Sequence, residues 1–297
     1  MPSDLYNSIL DSLDGQLTLP EDDLATAKAK MEALHGHPIA PDTQAEWTEY
    51  GGVRCAVVQA GDVTEGDRYL LYFRGGAFIA ADGDGFLFYA EMLSRQLNAS
   101  VVMVDYALAP AHVFPTVLNQ LCDAYQGLLG SGVPAERITF IGDSCGGGLV
   151  LTSLLQLRDR GIELPACGIS LCGWFDLAAD SDHKDPLYRQ AYSHKRGLDY
   201  AGDADLKNPL ISPVFADFHG LPPLLLQAGG VDPTSAHAEI VHRRATQSGV
   251  TSTLDIAPEM VHGFHGFTNL GVPESAAALR RARSFMDGHC GPPQAHK

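Results

Sequence analysis

The stretch RITFIGDSCGGGLVLTSLLQLRDRG, residues 137–161, decides the reading of this chain. It reads as a short apolar strand, a sharp turn and a helix that stops at a glycine. The turn contains Gly142-Asp143-Ser144-Cys145-Gly146, which fits G-x-S-x-G. A serine on such a turn is held in strained backbone geometry with its hydroxyl exposed. The flanking glycines remove Cβ atoms that would strike the strand and the helix. The helix N-terminus favours negative charge developing nearby. Ser144 is therefore the candidate nucleophile. Cys145, directly after it, has its N–H aimed at the same place, and its thiol reads as a small packing group.

A serine nucleophile needs a histidine base, and the histidine needs a carboxylate that fixes its tautomer. In a strand–turn–helix architecture the chain order is serine, acid, histidine. The sequence holds twelve histidines, so context must choose among them. APEMVHGFHGF, residues 257–267, follows the last expected strand, TSTLDIAP, and makes His262 the base, with His265 its rival. His35, His37, His183 and His194 read as surface residues. For the acid, LLLQAGGVDP, residues 224–233, ends a buried strand at Asp232, and ligand sites of open α/β sheets lie at that end. The competing reading of Asp232 is a helix N-cap before Pro233.

The rest of the chain fits this frame. WTEYGGVRCAVVQA, RYLLYFRGG, SVVMVDYAL, PACGISLCGWF and LPPLLLQAGG read as further strands, separated by helices such as TVLNQLCDAYQGLLGSG, AHAEIVHRRATQSG and SAAALRRARSFMDG. Alternating strand and helix predicts one mostly parallel α/β sheet with helices on both faces. Residues 1–45, including the helix LATAKAKMEALHG, form an N-terminal cap segment. Residues 46–175 and 211–290 form the two parts of the core. Residues 176–210 are a helical insertion over the C-terminal edge of the sheet, of a length often used for lids. Residues 291–297 are a tail.

Composition narrows the class. The chain has 297 residues, 45% hydrophobic and 19% charged, as in a globular enzyme-sized domain. A formal net charge of −16 argues against nucleic acid or an anionic membrane as partner. No apolar run approaches the roughly eighteen residues of a membrane span, and the first residues lack a secretory signal pattern. Six cysteines without ordered spacing read as reduced thiols of a cytoplasmic protein.

LYFRGGAF, residues 71–78, completes the pattern: a strand ending in two glycines and an aromatic. With RGGAF, GDSCGGG, DYALAPAHVFP, NPLISPVFADFHGLPPLLLQAGGVDP and VHGF on the page, the chain resembles the hormone-sensitive lipase family of α/β-hydrolases, the bacterial esterase group. The family has histidine where this chain has Arg74, alanine at Cys145, arginine at Ala107 and glutamate at Ala111. The resemblance implies an α/β-hydrolase fold with a helical cap and a serine esterase acting on small to medium acyl esters. It implies a triad of Ser144, Asp232 and His262, and an oxyanion hole of Gly75, Gly76 and Cys145 backbone N–H groups. It implies no metal or cofactor. Arg74 is expected to support the oxyanion loop, pairing with a carboxylate such as Asp105 or Asp143. Its rival role is to bind an anionic group of the substrate. Phe78, Trp174, Phe175, Tyr188, Tyr192 and Phe264 are the candidate pocket walls. The expected partner is a small-molecule ester or lactone, and a homodimer is left open. The alternatives are a lactone hydrolase with the same triad, or a ligand-binding protein on the esterase fold.

Overall fold

The computed structural model describes residues 1–13, 21–64, 67–80, 82–179 and 190–291. Eight strands form one sheet: β1 (Gln44–Tyr50), β2 (Val53–Gln59), β3 (Tyr69–Phe73), β4 (Ser100–Val104), β5 (Ile138–Asp143), β6 (Cys167–Leu171), β7 (Leu224–Gly229) and β8 (Ser252–Ala257). Their order is β1-β2-β4-β3-β5-β6-β7-β8. β2 pairs antiparallel with β1 and β4, and every other neighbouring pair is parallel.

The sequence explains the layout. β4, β5, β6 and β7 are buried along their whole length, as strands covered on both faces must be. β1 and β8 alternate or stay partly exposed, which suits sheet edges. Gly51 and Gly52, both at positive φ (59° and 75°), make the tight hairpin between β1 and β2.

Helices cover both faces. α3 (Leu87–Leu97) and α8 (Pro273–His289) lie on one, and α4 (Thr116–Gly130), α5 (Cys145–Asp159) and α7 (Thr234–Gln247) on the other. α1 (Asp4–Leu13), α2 (Leu24–His35) and α6 (Gln190–Ala201) belong to the segments expected to form the cap. β1 starts two residues inside the expected cap segment 1–45. The part of the insertion from 180 to 189, with Tyr188 and His183, and the tail from 292 lie outside the described residues. Among the described residues, no helix is long and apolar enough to cross a membrane.

The topology places the site. From β3 the chain steps to β4 on one side, then returns to β5 on the other. The switch point therefore lies between β3 and β5, where open α/β sheets open a crevice at their carboxyl ends. Phe73 pairs with Gly142 in that register, so the Arg74–Phe78 loop leaves the sheet beside Asp143 and Ser144.

Candidate active site

Ser144 stands between β5 and α5 at φ 54°, ψ −123°, a conformation that costs a non-glycine residue about 1–3 kcal/mol. The turn closes because its neighbours are small. A Cβ on Gly146 would lie 1.9 Å from the Phe73 carbonyl oxygen, and one on Gly142 would lie 2.4 Å from the Gly146 carbonyl oxygen. The Ser144 N–H donates to the Leu171 carbonyl (2.9 Å), and its own carbonyl accepts from the Trp174 N–H (2.9 Å). Both ends of the strained residue are thereby tied to β6 and the loop after it.

The other two residues arrive from the ends of β7 and β8. His262 Nε2 lies 2.8 Å from Ser144 Oγ, and His262 Nδ1 lies 3.0 Å from Asp232 Oδ2. Asp232 is buried and also accepts from the Thr234 N–H (2.8 Å) and hydroxyl (2.7 Å). Burial pushes its carboxyl up, but the His262 charge and these hydrogen bonds outweigh burial and hold it below the usual carboxylate range. The N-cap reading of Asp232 is thus partly right: its carboxylate bonds the first turn of α7 as well as His262. α1 buttresses the histidine loop, since the Tyr6 hydroxyl donates to the Glu259 carbonyl (3.1 Å) and accepts from the Val261 N–H (2.9 Å).

His265, the rival base, is fully buried, and its Nε2 faces Gln227 Oε1 at 3.2 Å. Burial pushes its imidazole down to about 3. Of the histidines expected at the surface, His37 is exposed, whereas His35 is half-buried and stacked on Phe86 (ring centroids 4.3 Å apart), and His194 is half-buried.

The loop after β3 departs from expectation at one atom. The Gly75 N–H, expected to face the reaction, donates instead to Asp143 Oδ1 (2.9 Å), which also accepts from the Tyr72 hydroxyl (2.7 Å). A Cβ on Gly75 would sit 2.3 Å from Asp143 Oδ2, so only glycine fits there. Burial raises the Asp143 carboxyl to about 6, against the pull of the Tyr72 and Gly75 hydrogen bonds. Past Gly75 the chain turns through three consecutive positive φ values, at Gly76 (103°), Ala77 (50°) and Phe78 (65°). Among the described residues, the N–H groups of Gly76, Ala77 and Cys145 meet no acceptor. The last belongs to the first turn of α5, where helix N–H groups lack internal partners.

Arg74 is fully buried. Its guanidinium donates to the Tyr106 carbonyl (2.7 Å) and the Ala80 carbonyl (3.3 Å), and lies 3.7 Å from Asp105 Oδ1. It stacks 4.0 Å from the centroid of the Tyr106 ring, and the Tyr106 hydroxyl donates back to the Arg74 carbonyl (2.7 Å). Of the two carboxylates open to it, the partner is Asp105, which Arg54 also pairs at 2.7 Å.

Cys145 is buried, and burial pushes its thiol up to about 11, in keeping with a packing role. Cys172 lies beneath the triad. With Asp232 and His262 it is the one group among the described residues whose ligand atoms approach closely enough to share a metal ion. Two of its three members are already bonded to each other.

The aromatic candidates separate. Phe78 and Trp174 pack together beside the nucleophile turn (centroids 5.8 Å apart). Tyr200 of α6, which the sequence reading did not single out, stacks on Phe78 at 3.9 Å. Phe175 is buried in the same apolar core cluster as Phe78 and Trp174, the Tyr192 hydroxyl of α6 donates to Met31 Sδ of α2 (3.8 Å), and Phe264 is buried in the apolar cluster under α1 with Tyr6 and Met260. Phe264 therefore packs under the histidine loop.

Residues 70–266 match the family model of the alpha/beta hydrolase fold. An acetyl-hydrolase of Streptomyces hygroscopicus is 30% identical over 225 residues, spanning 74% of this chain and 75% of that protein. An esterase of Acinetobacter venetianus is 27% identical over 255 residues, spanning 84% of this chain and 83% of that one. A solved esterase from the bacterial hormone-sensitive lipase family superposes with a TM-score of 0.91 at 29% identity, covering 98% of this chain and 100% of that one. With the serine turn, the acid and the histidine meeting at the switch point of this sheet, the chain belongs to the α/β-hydrolase family, on the side of its bacterial hormone-sensitive lipase members.

Proposed function

We propose that this protein is a serine esterase that hydrolyses carboxylic esters of small to medium acyl groups through an acyl-enzyme on Ser144. The observation that carries the reading is the unbroken chain from Ser144 Oγ through His262 to Asp232, at 2.8 and 3.0 Å. Ser144 Oγ attacks the ester carbonyl while His262 Nε2 takes its proton. Asp232 accepts from Nδ1–H, so Nε2 is the free base, and it stabilises the imidazolium that forms. His262 then protonates the leaving alcohol, and water attacks the acyl-enzyme by the same route in reverse.

The oxyanion donors are the N–H groups of Gly76, Ala77 and Cys145, because the Gly75 N–H is committed to Asp143. The hole is thus displaced one residue from the sequence expectation, and Gly75 becomes the pin of the loop. Each donor of this kind contributes about 3 kcal/mol to lowering the barrier. Arg74 holds the loop from behind through Tyr106, Ala80 and Asp105.

The acetyl-hydrolase and esterase names of the relatives support an ester substrate, and the first supports a short acyl group. The Phe78–Tyr200–Trp174 cluster beside the nucleophile turn supplies an apolar wall for it. A ligand-binding role on the same fold is disfavoured because no triad member is missing. The test is hydrolysis of p-nitrophenyl esters of rising chain length, with several lactones alongside. Turnover highest on the shorter esters is expected. Selective turnover of lactones would move the assignment to a lactonase, and no turnover by folded protein would favour the binding role.

A further inference from the structure

At the other end of the sheet from Ser144, two of the six cysteines converge. Cys167 opens β6 and pairs in register with Thr139 of β5. Cys290 caps the C-terminus of α8, its N–H bonded to the Met286 carbonyl (2.8 Å), and the next residue ties the chain to the start of β5 through Gly291 N–H and the Glu136 carbonyl (3.1 Å). Both sulfurs reach one hydroxyl: Thr139 Oγ1 lies 3.5 Å from Cys167 Sγ and 3.1 Å from Cys290 Sγ. The two thiols thus flank one hydroxyl where β5, β6 and the end of α8 meet.

We propose that Cys167 and Cys290 are a reversible thiol–disulfide pair whose closure fastens the C-terminal end of α8 to the sheet. The chemistry is exchange with a low-molecular-weight disulfide. The Cys290 thiolate attacks one sulfur of that disulfide, its S–S bond breaks, and one small thiol leaves. The Cys167 thiolate then attacks the Cys290 sulfur of the mixed disulfide and displaces the second small thiol. Two protein thiols are oxidised to one disulfide, and one small disulfide is reduced to two thiols.

The order of attack follows from the surroundings. The Cys167 thiol, despite the opposing effect of burial, together with the Thr139 hydroxyl and the charge of Arg68, holds Cys290 below the usual thiol range. The hydrogen bond with Cys290 and then burial push Cys167 well above it. Burial pushes the remaining four up as well, to about 12 for Cys55 and about 11 for Cys122 and Cys145, and well above the usual range for Cys172. Cys290 also sits at a helix end, where local opening exposes a side chain most readily.

The bond would act on stability and leave the chemistry alone. Cys167 begins the strand whose far end leads to the nucleophile turn, a span of about 15 Å at strand rise. α8, however, backs the histidine loop: the Ser275 hydroxyl donates to the Phe264 carbonyl (2.6 Å), and the Gln227 side chain bonds the Ala278 carbonyl (2.9 Å). Fastening its far end also closes a long loop of chain, the case in which a cross-link restricts the unfolded state most.

The test exposes native protein to oxidised glutathione, blocks remaining thiols under denaturing conditions and maps the peptides by mass. A linked Cys167–Cys290 peptide, two hydrogen atoms lighter than the separate peptides, is expected. A Tm several degrees higher and unchanged ester hydrolysis should accompany it. Cys167→Ser should stop at a stable glutathione adduct on Cys290, which wild type does not accumulate, and Cys290→Ser should form neither. Two fully blockable thiols after equilibration, a link that forms only in denaturant, or a bond that leaves Tm unchanged would overturn the proposal.

Discussion

Replacing Arg74 tests how the oxyanion loop is held. In Arg74→Ala the Tyr106 and Ala80 carbonyls lose their donor, and each orphaned buried acceptor costs about 1–3 kcal/mol. Asp105 keeps Arg54 at 2.7 Å and the Gly83 N–H at 3.0 Å, so no carboxylate is left bare. The space left under the Tyr106 ring adds a packing loss. Together these amount to roughly 3–6 kcal/mol of stability, a large share of what a domain has to lose. Arg74→Lys, which keeps the charge without the planar fork, should lose less and serves as the folded comparison. The catalytic loss is separate. The proposed oxyanion donors Gly76 and Ala77 lie in the loop that Arg74 backs, and a shift of about 1 Å in a donor costs about a hundredfold in rate. Because that loss falls on the transition state, kcat should drop by about this factor with a smaller change in KM. The assay is steady-state hydrolysis of p-nitrophenyl acetate and of an ester carrying a free carboxylate, beside a thermal melt. An unchanged kcat in a protein with lowered Tm would refute the support role. A rise in KM confined to the carboxylate ester would instead place the guanidinium on the substrate.

Three further outcomes follow from the site. Asp232→Asn should lower kcat about 10⁴-fold with KM little changed, because an amide facing Nδ1 favours the wrong imidazole tautomer; stopped-time hydrolysis at high enzyme concentration reads this. His262→Ala should lose several powers of ten in kcat, whereas His265→Ala should keep most of it and lose Tm instead, since it orphans Gln227 Oε1 inside the core. Asp143 tests linkage: burial raises its carboxyl to about 6 in the fold, above the ordinary aspartate value of 3.8. Between roughly pH 4 and 6 the folded state holds a proton that the unfolded state has released, so this stability is present at low pH and is lost as pH rises through about 6. Asp143→Asn keeps an acceptor for Tyr72 and Gly75 and should flatten that slope. Urea midpoints of both proteins from pH 4 to 8 measure it, and parallel curves would count against the raised carboxyl.

Much of this was written in the sequence, for physical reasons. The apolar runs of β4 to β7 admit only a sheet covered on both faces, and the order of Ser144, Asp232 and His262 along the chain suits a parallel sheet that delivers all three to one edge. What escaped depended on three-dimensional detail. Gly75 and Gly76 look alike as letters, but only the register of β3 against β5 puts the first one's N–H on Asp143. Ala77 and Phe78 carry positive φ with no glycine to announce it. α3 went unread because it grows from a 3-10 turn, with no side-chain cap at its start. Phe264 resembled a crevice wall in its loop, yet the turn after Gly263 tucks it beneath α1. The choice of Asp105 over Asp143 for Arg74 rested on where the loop after β3 carries the side chain, which no local pattern states.

The central claim is that Ser144 carries the acyl group. The most direct measurement is labelling with a p-nitrophenyl phosphonate ester, followed by intact mass and peptide mapping. One phosphonyl group per chain, on the peptide containing Ser144, lost in Ser144→Ala together with ester hydrolysis, is the predicted result. A label on Cys145 or elsewhere, or hydrolysis that persists in a clean Ser144→Ala preparation, would contradict it.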